Sequence, residues 1–131
     1  MQTSIFIILL FGGAKILRKQ KVKKYLMDRI DKLKEYMKTS GKDSFLQHAL
    51  ALEYIKVGND EEAKRLFNEI LKREPTYLGS YYHLGKLLER IGDRPKAMRV
   101  YKRGMEVATA ANDSHSYSEL QGAYEDAEDE L

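Results

Sequence analysis

Cysteine is absent from this chain of 131 residues, and proline is nearly so. Without cysteine there can be no disulfide and no thiolate metal site. The two prolines, Pro75 and Pro95, leave long stretches free to form helices. Outside one apolar run near the N-terminus, strand-forming residues never alternate with polar ones, which disfavours a β-sheet. Hydrophobic residues make up 43% of the chain and charged residues 33%, which is typical of a single globular domain.

Charge is distributed unevenly along the chain. The net charge of +3 conceals a net of +7 over residues 1–43 and a net of −7 over residues 113–131. Such an uneven charge distribution affects how the molecule attracts and orients its partners, and it does not determine the fold. Ends of opposite sign could attract each other within one molecule or between molecules, so a homo-oligomer is one expectation.

A repeat with an offset of 34 residues relates residues 56–67 to residues 90–101. Identical residues recur at Gly58/Gly92, Ala63/Ala97 and Arg65/Arg99. Chemically similar residues recur at Lys56/Arg90, Val57/Ile91, Asn59/Asp93, Leu66/Val100 and Phe67/Tyr101. So many matches without a gap indicate two copies of one structural unit.

Each unit is predicted to be a pair of antiparallel helices. Glycine at 58 and 92 ends the first helix, and Asn59 or Asp93 caps the second. Glu62, three residues after Asn59, is predicted to reach back to the free amides as in a capping box. The residues predicted to pack the helices together are Leu50, Ala51, Tyr54, Ala63, Phe67, Tyr81, Leu84, Gly85, Leu88, Ala97 and Tyr101.

Further helices are predicted at both ends of the repeats. Tyr117, Leu120 and Tyr124 repeat the spacing of the second unit at an offset of 36, with no partner helix after them. Residues 113–128 are therefore predicted to form an acidic helix that closes the array. Upstream, apolar residues at helical spacing predict another amphipathic helix over 22–38.

These patterns resemble the tetratricopeptide-repeat family. The resemblance rests on the spacing Tyr81-x2-Leu84-Gly85-x2-Leu88 and Ala97-x3-Tyr101, and on Ala63-x3-Phe67 followed by Pro75. It implies an all-α fold, a short α-solenoid with repeats at about 44–77 and 78–111. Gln47 departs from the family's usual large aromatic residue, and Thr109 stands where proline is usual.

The resemblance also implies a function, which is binding a protein or peptide in the concave groove of the first helices. The residues expected to line that groove are Phe45, His48, Leu52, Lys56, Tyr82, Lys86, Glu89, Arg90 and His115. Exposed aromatic rings beside lysine and arginine suit a partner with an apolar anchor and acidic groups. The alternative is that these are ordinary surface residues.

Catalysis and cofactor binding are not expected. The chain has three histidines, His48, His83 and His115, and none forms an i, i+3 or i, i+4 pair with another on one helix, so no metal ligand set is evident. No nucleophile elbow or phosphate-binding loop is present, and acids such as Asp60 and Glu61 fit the first turn of a helix. We therefore predict a non-enzymatic cytoplasmic adaptor without cofactors.

Residues 1–26 form a separate segment in this interpretation, followed by a repeat domain at 27–131. Seven apolar residues run from Ile5 to Phe11, and six lysines and arginines follow between Lys15 and Lys24. Three interpretations stay open: an anchor at a membrane surface, an apolar helix docked on another surface, or an upstream extension of a protein that begins at Met27. Nucleic-acid binding is disfavoured because no aromatic ring interrupts the basic stretch before Tyr25.

Overall fold

The computed structural model describes the backbone of residues 2–130 and the side chains of residues 12–130. Six α-helices follow one another in the order α1 (Gln2–Ser40), α2 (Ser44–Lys56), α3 (Asp60–Arg73), α4 (Leu78–Arg90), α5 (Arg94–Ala110) and α6 (Ser114–Asp129). No strand occurs in this part of the chain. The predicted all-α class and the repeated helix pairs, α2 with α3 and α4 with α5, are confirmed.

The helix starts are fixed by short polar side chains. Asp43, Asn59, Asp93 and Asp113 each accept a hydrogen bond from the backbone N–H three residues later. Such a bond satisfies one of the amides that a helix leaves unpaired in its first turn. Between the repeats no side chain caps α4, but the Tyr81 hydroxyl donates to the Pro75 carbonyl at 2.6 Å and ties the connecting loop down.

The predicted capping box at Glu62 is wrong. Its carboxylate accepts hydrogen bonds from Arg65 one turn later, at 2.9 Å from Nη2, and so does not reach back to the start of α3. The Asn59 N–H already donates to the Tyr54 carbonyl at 2.8 Å, because the backbone turns sharply at Gly58. The orphan amide is thus satisfied by the preceding helix.

The turns after the helices use the left-handed region of the backbone. Gly58 and Gly92 have φ of 80° and 93°, as their place between the paired helices requires. Asn112 takes the same region, with φ of 55°, between α5 and α6. Asparagine is among the few non-glycine residues that adopt this conformation readily.

The eleven residues expected to pack the repeats all lie in the interior. The tightest approach is at Gly85 of α4, where a Cβ would lie 2.1 Å from Cε1 of Tyr101 on α5. A second small residue, Gly104 of α5, is not marked by the repeat pattern and lets Tyr81 and Leu120 approach from the neighbouring helices α4 and α6. Two glycines therefore set the spacing of the last three helices.

A polar network occupies the position where the family usually has a large aromatic residue. Gln47 is buried, and its side chain accepts from Arg73 and donates to Glu69 on α3. Arg73 also donates to the Ser44 hydroxyl at 2.8 Å. The chain thus replaces ring packing between α2 and α3 with hydrogen bonds that satisfy the buried amide.

Helix α1 is much longer than the predicted helix over 22–38, and the proposed boundary between residues 26 and 27 falls inside it. Ile30 is fully buried against the repeats, and Arg29 pairs with the buried Glu53 carboxylate of α2 at 3.0 Å. Residues 14–25 are exposed on all sides. The apolar run from Ile5 to Phe11 has helical backbone, but its side chains lie outside the described residues.

Candidate functional site

A row of rings crosses the junction between the two repeats. His48 of α2 lies among Phe67, Tyr77 and His83, with ring centroids 5.5, 5.5 and 5.2 Å from its own. The next ring in the row after His83 of α4 is Tyr82. The two ring centroids lie 5.4 Å apart, and the ring planes are nearly perpendicular. Because α2 and α4 are the first helices of their repeats, the row joins equivalent faces of both units.

The two histidines of this row are held as neutral imidazoles. Burial, and secondarily the charge of His83, lowers the pKa of His48 to about 4. Burial also lowers the pKa of His83, against a smaller opposing effect of Glu119 on α6. The Nδ1 atom of His48 lies 3.0 Å from the hydroxyl of the fully buried Ser80, which fixes the ring. Both rings therefore present a weakly polar surface at pH 7.

Tyr82 continues the row towards a cluster of charges. The Lys86 ammonium lies 5.9 Å from the centre of the Tyr82 ring and 3.8 Å from the Glu89 carboxylate. Glu89 also accepts a hydrogen bond from the buried Tyr101 hydroxyl. The pKa of Tyr101 is raised, mainly by burial and secondly by the Glu89 carboxylate. Glu89 thus supports the α4–α5 contact while Lys86 stays exposed.

On α2, the predicted groove residues follow one another at helical spacing. Phe45 is 70% exposed, and Leu52, two turns further along the same face, is half-buried. Lys56 pairs with the buried Glu53 at 3.2 Å, so its charge is already partly neutralised by this helix. Phe45 and Leu52 therefore provide apolar surface, and Lys56 provides less free charge than its sequence suggests.

The remaining two predicted groove residues lie apart from the ring row. Arg90 forms an ion pair with Asp60 at the start of α3 and so links the two repeats. The His115 side chain is 90% exposed on α6, with Nε2 3.8 Å from the Glu119 carboxylate. The structure thus joins His48, Tyr82, Lys86 and Glu89 in one continuous surface, and sets Arg90 and His115 at its margins.

Three residues that form or support this surface were not expected as groove residues: Tyr77 and His83, and Ser80, which is buried beneath it. Tyr77 lies in the loop before α4, and the 34-residue counterpart of His83 is Ala49, so neither is marked by the repeat. The adjacency of His83 to Tyr82 was a signal for His83.

In residues 12–130, no three His, Asp or Glu side chains lie close enough to share a metal ion. None of the described helices has the length and apolar content needed to cross a membrane.

Comparison with known proteins agrees with the helix pairs. The sequence profile of the tetratricopeptide repeat matches residues 46–77 and 78–110. The crystal structure of a tetratricopeptide repeat domain protein from Salinibacter ruber is 42% identical, with a TM-score of 0.64, over 66% of this chain and 97% of that one. The chain belongs to the tetratricopeptide-repeat (TPR) family. No curated protein matches it.

Two more distant TPR-like structures share the fold. The solution structure of a Bordetella parapertussis protein is 24% identical, with a TM-score of 0.69, over 77% of this chain and 88% of that one. The TPR2B domain of yeast Sti1, solved in a complex with pHsp70, is 15% identical, with a TM-score of 0.74, over 87% and 91%. TPR domains are typically non-enzymatic interaction modules, and the two repeats here support a general role in protein–protein interaction.

Proposed function

We propose that this TPR protein is an adaptor that binds a peptide or protein segment on the concave face formed by α2, α4 and α6. The observation that carries the proposal is the ring row from His48 to Tyr82, which runs from one first helix to the next. Tyrosine is among the residue types enriched in the few hot spots that carry most of the binding energy of protein interfaces. The pHsp70 complex of the Sti1 domain supports a peptide partner for this fold.

The partner has an apolar anchor and a carboxylate. The anchor packs on Phe45, Leu52 and the neutral imidazole of His48, which are apolar or weakly polar. The carboxylate pairs with Lys86, the exposed cation beside Tyr82. Glu119 and Glu125 on α6 repel acidic groups, so the acidic part of the partner lies over α2 and α4.

Site-specific photo-crosslinking tests the face that is used. A photoreactive amino acid at the exposed position of Phe45 is expected to cross-link a partner in extracts of the source cells, whereas one at Lys102, exposed on α5, is not. Cross-linking from Lys102 alone would place the interface on the convex side and refute the proposal.

Charge reversal then tests the partner's chemistry with a matched pair of lysines. Lys86→Glu is expected to weaken binding by about tenfold or more, because an exposed charge-assisted contact becomes a repulsion. Lys102→Glu makes the same change in net charge on the opposite side and is expected to leave the affinity unchanged. Equal losses would show that only net charge matters.

A second function uses the basic segment at residues 15–24, as an attachment to a membrane surface or to nucleic acid. The specific observation in its favour is that Ile16, Leu17 and Val22 are all more than half exposed among six cations. Each lysine or arginine near an anionic bilayer contributes about 1 kcal/mol of attraction. Removing residues 1–26 is then expected to shift the protein from pelleted membranes to the soluble fraction, or to abolish a salt-sensitive gel retardation of nucleic acid.

A further inference from the structure

The two ends of the helix array are complementary halves of one repeat. Helix α1 packs on α2 as α3 packs on α4, so α1 has the place of a second helix without its first. Helix α6 follows α5 as α4 follows α3, so it has the place of a first helix without its second. Each end therefore leaves uncovered the face that a partner helix covers inside the repeats.

The side of α6 that lacks a partner helix carries three exposed residues, Tyr117, Gln121 and Glu128, with the partly buried Tyr124 between them. Their spacing places them in a stripe on one side of the helix. Tyr117 is the counterpart of Tyr81 at the offset of 36. Tyr81 is 5% exposed beneath α5, but Tyr117 is 36% exposed. Gln121 is likewise exposed where its counterpart Gly85 is buried.

The uncovered face of α1 is a stripe with the same spacing, Tyr25, Arg29, Lys32 and Tyr36. Tyr25 and Tyr36 are 59% and 52% exposed, and together with Asp28 and Leu33 these residues border an open groove along the helix. The Arg29 guanidinium lies 5.9 Å from the centre of the Tyr25 ring. Tyrosine and arginine are both enriched at protein interfaces, which favours a docking role for this face.

We propose that the α6 stripe of one molecule packs against the α1 stripe of a second molecule and completes a helix pair between them. The charges at the contact are complementary, because Lys32 meets Glu128. The same complementarity extends to the ends as a whole, with +7 in residues 1–43 and −7 in residues 113–131. Since α1 and α6 stand at opposite ends of the row of helices, the pairing is between molecules. The contact does not involve the ring row of the concave face.

The association is weaker than the pairing inside a repeat. Within the repeats, glycine or alanine at the crossing lets the helices approach closely, as Gly85 does beneath Tyr101. Between molecules the equivalent positions hold Gln121 and Arg29, whose side chains keep the helices further apart. Tyrosine contacts and ion pairs then supply the attraction, which makes it sensitive to salt.

The proposed contact is heterologous, so it adds molecules head to tail. An interface of that kind forms open chains unless its rotation happens to close a ring. Its oligomers therefore grow with protein concentration and do not stop at a dimer.

Two end-specific variants of the full chain test the pairing. One carries Lys32→Glu and Tyr36→Ala on α1, and the other carries Tyr117→Ala and Glu128→Ala on α6. All four side chains are exposed, so the helix content and thermal unfolding of each variant should match the unaltered protein. Sedimentation velocity is measured for each variant, for their equimolar mixture and for the unaltered protein, at about 0.02 M and about 0.5 M salt.

The unaltered protein is expected to exceed its monomer mass of 15.2 kDa by about twofold or more at low salt and about 100 µM, and to dissociate at high salt. Each variant alone should remain a monomer. Their mixture should form dimers and stop there, because one intact α6 end then meets one intact α1 end. An unaltered protein that stays monomeric, oligomers that persist in either variant, or a mixture without dimers would each overturn the proposal.

Discussion

Gly85 and Tyr101 are in direct contact, with the Tyr101 ring lying where a side chain at position 85 would start. The ring cannot move aside easily, because its hydroxyl is held by Glu89 of the same helix as Gly85. The glycine is therefore required by the space between α4 and α5 and not by backbone conformation.

Replacing Gly85 by alanine tests this contact. Alanine has the higher helix propensity by about 1 kcal/mol, but overpacking costs about 1–3 kcal/mol or more, so a net loss of stability is expected. Urea unfolding followed by circular dichroism measures the change. A matched control is Gly122→Ala on α6, where a Cβ meets nothing within 4 Å. That variant should gain about 0.5–1 kcal/mol, and a gain in both variants would contradict the close approach.

Gly104 provides a second test, at the junction of α5 with both neighbouring helices. A Cβ there would lie 2.8 Å from Cβ of Tyr81 and 2.9 Å from Cδ1 of Leu120. Leu120 can change rotamer, but Tyr81 Cβ moves only with its backbone, so Gly104→Ala should lose about 1–3 kcal/mol. Hydrogen exchange should show the loss as faster exchange of α6 amides. Unchanged α6 protection would be inconsistent with this packing.

The titration of His48 gives a prediction for acidic pH. Its pKa in the folded protein is about 4, below the usual 6.5 of the unfolded chain, mainly because the ring is buried. As the pH falls from 6.5 towards 4, the unfolded chain binds a proton that the folded protein does not. The contribution of His48 to the free energy of unfolding therefore has its full value above pH 6.5 and decreases as the pH falls towards 4.

Nuclear magnetic resonance of the imidazole carbons follows this titration directly. The His48 signals should titrate near pH 4, and those of His83 at a pH below 6.5, because burial disfavours both charged forms. A His48 midpoint at 6.5 would mean that the ring is solvated and that the ring row is open to water.

Asp113 gives the fourth prediction, which concerns α6. Its carboxylate accepts from the Ser116 N–H at 3.0 Å and from the Ser116 hydroxyl at 2.7 Å, and these bonds lower the pKa of Asp113. The cap therefore stabilises α6 above the ordinary pKa of an aspartate and loses its effect as the pH falls through the lowered value. Asp113→Ala should speed exchange of the first α6 amides at pH 7. Asp113→Asn, which keeps a side-chain acceptor, should restore much of the protection.

The elements that the sequence predicted well are those determined by neighbouring residues. Three helix starts were predicted from their capping residues, Asn59, Asp93 and Asp113. A capping side chain bonds to the backbone N–H only three residues later, so the signal is local. The helix pairs followed from the 34-residue offset, since small residues recur where helices cross. The fold class and the pairing of the helices were thus predictable from local chemistry together with the internal repeat.

The features that were missed depend on distant contacts. At the 34-residue offset Gly104 aligns with Ile70, so the repeat did not predict a small residue there. Because Gly104 has no side chain, Leu120 of α6 can lie close to α5. The ion pair between Arg90 and Asp60 joins residues 30 positions apart and partly neutralises a charge that was expected to line the groove. For the candidate site, a period predicts which face of a helix is turned towards a partner. It does not predict which side chains on that face are already engaged.

Within residues 12–130, the substantial contacts join helices that are adjacent along the chain, or next but one. A further helix pair inserted before Leu78 would therefore have to pack only on its near neighbours. The length of such a chain can therefore change by whole helix pairs while the contacts within each pair stay the same.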